Sequence, residues 1–344
     1  MKKNKTTEKA LSQYSMIDVG RKRPTRRYAV ATGTIYLGRK SFAGLKEKTL
    51  PKGDALPMAE IAGVMAAKNT ANVLPMCHPL PLEQVVLSSR FDNKSRSLQV
   101  FAEVLAFAKT GVEMEALNAV QAALLTVWDL AKGTDADLEI GGVRLLAKTG
   151  GKTGVWVHPE GVPEWVKSRL PPEAPLKGKT AAVMVMSDRA SAKIYRDETG
   201  PVIEDMLAEA GAEVCCRALV PDDPHTIAEK IKSICAERRP RLLIAAGGTG
   251  PGPRDSTPEV LAEVCERMLD GLGEFLRAQS LYYTDTAWLS RMTAGMCGAT
   301  LVVAFPGSPK AVRECWDMIA PFIGDAIDKI EKQGHRTAGR KGIK

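Results

Sequence analysis

Two domains of different class are predicted for this chain. The first is an α+β domain with helices on an antiparallel, ferredoxin-like sheet. The second is a three-layer α/β domain with a mainly parallel sheet. Three observations predict them. A length of 344 residues suits two ordinary domains better than one. "HPEGVPEWVKSRLPPEAPLKGK", His158–Lys179, holds five prolines and no sustained alternation, the composition of a semi-rigid linker. The pattern also changes across it, from isolated strands and long helices to a regular strand–helix alternation. The divisions are a disordered basic tail at 1–11, a first domain at 12–157, the linker at 158–178, a second domain at 179–333 and a basic tail at 334–344.

Within the first domain, "RRYAVATGTIYL", "QVVLSSRF" and "SLQVFAEVLAF" alternate apolar and polar residues, as half-buried antiparallel strands do. "MAEIAGVMAAKNT" and "EMEALNAVQAALLTVWDLAKG" read as helices. The second is apolar nearly all round, so burial is expected, part of it in an oligomer interface. Thr110 three residues before Glu113 matches a capping box, and Glu115 falls in the first turn, where acids are favoured anyway.

The second domain begins with a buried strand, "TAAVMVMSD". A helix follows, with Thr199 as N-cap and Gly211 as its stop. "EVCCRALV" is a strand, "PHTIAEKIKSICAERR" an amphipathic helix, "PRLLIAAGG" a strand, and "ATLVVAFPGSPKAVRECW" repeats strand, loop and helix. Such βαβ order calls for a mainly parallel sheet covered by helices.

Bulk composition narrows the function. Seven cysteines without CxxC or Cys/His metal spacing read as reduced thiols of a cytoplasmic protein. No apolar segment follows the basic start, which argues against a secretory leader, and no run is long enough to span a bilayer. The net charge of +8 lies partly in the tails. Aromatic residues do not interleave with the basic runs, so polyphosphate ligands are favoured over nucleic acid.

Three loops of the second domain sit at carboxyl ends of strands, where α/β folds collect ligands. They are Ser187–Ser191, Gly247–Asp255 and Pro306–Lys310. In "GGTGPGPRDSTPE", Thr257 reads as N-cap and Pro258 as the first helical residue. The glycines admit bare amides to an anion, yet Asp255 would repel phosphate. Either Mg²⁺ mediates between the two, or Asp255 is a local loop acceptor. Asp222, after another strand, is a second carboxylate or an ordinary turn residue. Asp188 shares the first loop, and Ser308 caps the helix that follows the third.

In the first domain, "VLPMCHPLPLEQ" carries Met76, Cys77 and His78. Neighbours in extended chain point apart, so Cys77 and His78 make a poor dyad; His78 alone is an acid/base candidate or a packed histidine. Asp129 lies three residues before Lys132, on one helix face, where an acid opposes the helix dipole. Lys52, Lys148 and Lys152 among glycine turns suit a triphosphate or simply solvent.

Two resemblances follow from these motifs. "VMVMSDRAS", "GGTGPGPRDSTPE", "GLGEFLRAQSL", "TAWLSRMTAG" and "FPGSPKAVREC" resemble the MogA-type molybdopterin adenylyltransferases over nearly all of 179–330. The resemblance implies adenylation of molybdopterin from ATP with Mg²⁺. It implies that Asp222 and Asp255 are the two important aspartates, Asp255 holding a metal–phosphate assembly. It also implies a nucleotide loop at Gly247, Gly248, Thr249 and Gly250, with Ser187 nearby. The related MoaB type leaves a non-catalytic pterin-binding or scaffold role open.

"MIDVGRKRPTRRYAVATG", "KGDALPMAEIAGVMAAKNT", "LPMCHPLPL", "KTGVEMEALNAV", "WDLAKG" and "LLAKTGGKTG" resemble MoaC, the cyclic pyranopterin monophosphate synthase, over about 12–156. This implies conversion of a cyclised dihydro-GTP to the cyclic pterin phosphate with loss of pyrophosphate. Asp129 and Lys132 would be the central acid/base pair. Lys52, His78, Arg27 and Lys148 would handle triphosphate and protons, and Met76, Cys77, Glu113 and Met114 would contact substrate. The family's hexamers, with sites between subunits, imply a trimer or hexamer here. Gly20, Asn118 and "WDLAK" depart from the usual Ser, Thr and "YDMCK", and none of these removes a charged candidate. Small-molecule substrates are expected, with no tightly bound organic cofactor.

Overall fold

The computed structural model describes residues 14–151 and 154–338. Lys152 and the outermost residues of both basic tails lie outside the described residues. The chain divides into two compact units, 1–170 and 171–344.

The first unit runs β1 (Thr25–Tyr36), α1 (Arg39–Glu47), α2 (Ala55–Lys68), α3 (Thr70–Val73), β2 (Gln84–Asp92), β3 (Ser97–Ala108), α4 (Glu113–Ala131), β4 (Glu139–Thr149), β5 (Val155–Val157) and α5 (Glu164–Lys167). Its sheet is antiparallel, in the order β2-β3-β1-β4-β5. One face packs on α4 and α2 through Ala29, Ala31, Ile35, Ala119, Val120 and Leu124. At Gly33 a β-carbon would come within 2.8–2.9 Å of Leu124, Val120 and Val143, so glycine lets α4 lie close to the sheet. The other face, with Val30, Phe101 and Leu146, is covered by Val162, Trp165, Val166 and Leu170. Part of the proline-rich stretch is therefore core of this unit. Arg169 pairs with the buried Glu103, which also accepts from the Tyr28 hydroxyl at 2.5 Å.

The expected capping box is absent. The N-cap of α4 is Val112, without a side-chain bond, because the Glu113 carboxylate is taken by Lys148. Helix α1 was not legible from periodicity.

The second unit runs β6 (Thr180–Met186), α6 (Asp188–Ser191), α7 (Thr199–Glu209), β7 (Glu213–Val220), α8 (Pro224–Ser233, continued by a π turn at Ile234–Arg238), β8 (Leu242–Ala246), α9 (Thr257–Val264), β9 (Arg267–Met268), α10 (Asp270–Ser280), a 3₁₀ turn (Ala287–Leu289), β10 (Ala294–Cys297), β11 (Thr300–Phe305) and α11 (Pro309–Ala338). The sheet order is β7-β6-β8-β11-β10-β9. The first four strands are parallel, while β10 and β9 add antiparallel pairs at one edge, making the sheet mixed. Alternate residues of β6 enter different cores: Ala181, Val183 and Val185 join the side of α7, α10 and α11, and Ala182, Met184 and Met186 that of α8 and α9.

Two expected caps are displaced by one residue. Thr199 is the first residue of α7, and its amide and that of Gly200 are both taken at 2.9 Å by Asp197 Oδ1. Thr257 is likewise the first residue of α9, after Ser256. Its buried hydroxyl donates to Gly247 O at 2.9 Å, tying the helix to the glycine loop. Ser308 does cap α11, accepting from Ala311 N at 3.2 Å.

Candidate functional sites

Helix α4 organises the first unit's candidates, and it separates them. At its C-terminal end Asp129 receives a lysine on each carboxylate oxygen: Lys132 Nζ at 2.7 Å on Oδ1 and Lys52 Nζ at 2.8 Å on Oδ2. Lys52 also donates to Asp129 O at 3.1 Å, partly answering the helix C-terminus that the acid opposes. The hydrogen bonds from Lys132 and Lys52 pull the Asp129 carboxyl down to about 2. It is an anion throughout the neutral range and a weak base.

At the N-terminal end of α4, Glu113 pairs with Lys148 at 2.7 Å. Arg27, buried, donates to Ala108 O at 3.1 Å and Lys109 O at 3.2 Å, and burial lowers its pKa. A β-carbon at Gly151 would come within 2.1 Å of Arg27 Nη1, so the glycine turn makes room for the guanidinium. Cys77 and His78 do point apart. Cys77 Sγ meets Glu115 Oε1 at 3.6 Å, while His78 Nε2 lies 3.0 Å from Ile17 O. Met76 and Met114 are exposed. Glu115, read from sequence as a routine first-turn acid, is buried, and desolvation raises its pKa.

Sixteen residues separate Glu113 from Asp129 along α4, about 24 Å at the helical rise. Within one copy, the candidates therefore form two clusters rather than one pocket.

In the second unit the candidates converge. A cleft of about 710 Å³ opens at the carboxyl ends of β6, β7, β8 and β11, and Ser187, Asp222, Gly247–Gly250, Asp255 and Ser308 line it. From β6 the chain winds one way to β7 and the other way to β8 and β11, and such a switch point leaves a crevice. Gly247 at φ 122° and Gly248 at φ 59° bend the loop as only glycine does comfortably. A β-carbon on Gly247 would meet Met186 O at 2.3 Å.

Asp188 supports the cleft from behind. Its Oδ1 accepts from Asp222 N, and Asp222 Oδ2 accepts from Asp188 N, both at 3.0 Å. Asp188 Oδ2 pairs with Arg254 at 2.5 Å. Burial raises the pKa of Asp222, and the charges of Asp188 and Asp255 add to the effect. Asp255 is in part the local acceptor considered from sequence, since its Oδ2 takes Gly252 N at 2.9 Å; it lines the cleft as well.

Two cleft residues and one behind the glycine loop escaped spacing arguments. Tyr195 donates to or accepts from Ser187 Oγ at 3.0 Å. Ser290 lines the cleft with a buried, unpartnered Oγ. Arg291 grips the glycine loop from outside. A short polar motif on an irregular turn carries no periodicity, so only tertiary contact reveals these three.

Among the described residues no cluster of three or more His, Cys, Asp or Glu is arranged to hold a metal ion, and no helix is long and apolar enough to cross a membrane.

Comparisons with known proteins divide the chain in the same way. The MoaC family model matches residues 16–151, and that of a probable molybdopterin binding domain matches 182–325. A molybdenum cofactor biosynthesis bifunctional protein of Synechococcus elongatus is 40% identical over 322 residues, 94% of this chain and 99% of that protein. Its counterpart in Chlorobaculum tepidum is 36% identical over 321 residues, 93% and 96% respectively. A cyclic pyranopterin monophosphate synthase of Roseiflexus sp. is 44% identical over 143 residues, 42% of this chain and 90% of that enzyme.

Proposed function

The chain belongs to the bifunctional molybdenum cofactor biosynthesis proteins, and on that premise we propose a reaction for each unit. The first unit converts a cyclised dihydro-GTP to cyclic pyranopterin monophosphate, releasing pyrophosphate. The second transfers AMP from MgATP to molybdopterin. We read the first sheet, with its β-α-β-β-α-β order, as ferredoxin-like, and the second unit as three-layered.

For the first unit, the Asp129–Lys52–Lys132 cluster carries the reading. The Asp129 carboxylate holds both lysines close, so a lysine donates the proton and Asp129 sets its position. Arg27, Lys148 and Glu113 bind the other end of the substrate. Since the two clusters lie about 24 Å apart along α4, one pocket takes its ends from two copies. Met58, Ile61 and Met65 form an exposed apolar stripe on α2, and Leu125 is exposed on α4. Their exposure supports a trimer or hexamer that buries them between copies. Light scattering that finds a stable, active monomer would overturn this.

For the second unit, the carrying observation is the pairing of a glycine loop with carboxylates in one cleft. Bare amides attract phosphate, while Asp222 and Asp255 repel it. Magnesium prefers one or two carboxylates plus substrate phosphates to an all-protein cage, so a cleft without a three-ligand cluster fits a metal that arrives with the nucleotide. Asp222 and Asp255 would hold it, and it would supply charge neutralisation at the phosphates. Gly247–Gly250 and Ser308 align the triphosphate, and alignment with electrostatic stabilisation is most of phosphoryl-transfer catalysis. Incubating the full chain with MgATP and molybdopterin tests this. Pyrophosphate and an adenylated pterin are expected; pterin binding without transfer would favour the non-catalytic scaffold role.

A further inference from the structure

We propose that Arg291 is a positioning residue that fixes which way the peptide groups of the Gly247–Asp255 loop face; the inference rests on the adenylyl-transfer reading of the cleft. Arg291 reaches the loop from a turn far along the chain and makes four contacts. Its amide donates to Thr249 O at 2.7 Å, Nε to Gly250 O at 2.9 Å and Nη2 to Asp255 O at 2.5 Å. Nη1 pairs with the Glu259 carboxylate on α9.

The carbonyls of Gly250 and Asp255 are thus drawn out toward the guanidinium, and that of Thr249 toward the Arg291 backbone amide. In a trans peptide the C=O and N–H point in opposite directions. Holding Thr249 O against Arg291 therefore turns the Gly250 N–H the other way, and Gly250 lines the cleft. Among the described residues, no acceptor takes the amides of Gly248, Thr249 or Gly250. Three unpaired amides in a glycine-rich turn form a concavity suited to an anion.

The same glycines make the loop ambiguous. A peptide flip beside Gly248 or Gly250 meets little steric resistance, and it would put a carbonyl oxygen where an amide had been. At a phosphate site such a flip reverses the sign of the contact. Arg291 makes the flip costly by giving the Gly250 and Asp255 carbonyls a charged partner on the outside, while its backbone amide, which every substitution at 291 retains, holds that of Thr249. Its planar fork serves several acceptors at fixed angles, as an ammonium does not. The tie to Asp255 O also fixes the backbone from which the Asp255 carboxylate projects.

The test compares wild type, Arg291→Lys and Arg291→Ala in the full chain. For Arg291→Ala, kcat of AMP transfer is expected to fall about 100-fold, the usual cost of small misplacement. KM for ATP should rise by less than that factor, and added guanidinium should restore part of kcat. Arg291→Lys should fall between. A merely structural role would lower the melting temperature and the active fraction, leaving KM unchanged and guanidinium without effect; that result would overturn the proposal. A second readout needs no substrate: amide hydrogen exchange at 248–256 should quicken in Arg291→Ala. Should wild type transfer no AMP, the adenylyl-transfer reading fails, while exchange still decides on Arg291. Unchanged exchange would refute its role in either case.

Discussion

The two units place their important carboxylates in opposite electrostatic situations. Asp129 is exposed and held by Lys52 and Lys132 at 2.8 and 2.7 Å, and its carboxyl is pulled down to about 2. Asp222 is partly buried beside Asp188 and Asp255, and its pKa is pushed up. One site carries its counter-charges in the chain; in the proposed scheme the other receives its cation with the substrate. Both reactions release pyrophosphate in the proposed scheme, and the chain solves the same charge problem in two ways. A resident lysine pair can also donate protons, which a ring-forming step needs. A travelling metal aligns phosphates without a proton inventory.

The largest expected effect tests the resident pair. Asp129→Asn should lower the first reaction by about 10²–10⁴-fold, the usual worth of acid/base machinery, and leave AMP transfer unchanged. Asp255→Ala should do the converse, costing about 100-fold or more in transfer. If either substitution lowered both activities without unfolding, the two sites would not be independent.

The next effect concerns pH. Carbon-detected NMR should show the Asp129 carboxyl ionised from pH 4 to 9, since its folded value lies below the usual ~3.9. Its contribution to stability is therefore present above that ordinary value and lost as pH falls toward 2. Asp222 has the opposite sign. A raised folded pKa means that its contribution is present below the ordinary value and lost as pH rises through the folded one. Asp222→Asn should accordingly raise the neutral-pH melting temperature of the second unit by a few degrees at most, while impairing transfer. A fall in melting temperature would break the comparison.

The smallest effect is confined to the cleft floor. Gly247→Ala should destabilise the second unit by about 1–3 kcal/mol, because φ is 122° and Met186 O stands 2.3 Å from the added carbon. Separate calorimetric transitions would show the first unit unaffected.

Some of this was legible in the chain and some was not. The Asp129–Lys132 pair follows from i,i+3 spacing alone. Glycine and proline punctuation marked the Gly247–Asp255 loop and the start of α11. Local pattern failed where a side chain had a better distant partner. Glu113 abandons the capping box for Lys148, Asp197 takes the two amides that begin α7, and Glu115 is drawn inward to Cys77. Strands β9 and β10 were missed because they are short: β9 is two residues at the sheet edge, and β10 is four residues that are all buried, so neither alternates.

The sequence by itself determined the two-unit division, the antiparallel and βαβ classes, and the residue types of both sites, since hydrophobic period and turn chemistry are local properties. Only the tertiary structure decided what those residues do to one another. It brought Lys52 onto Asp129, split the first unit's candidates between the two ends of α4, gathered four loops at one sheet end and put Arg291 behind the glycine loop. Those outcomes depend on contacts between positions far apart in the chain, and such contacts leave no mark on periodicity.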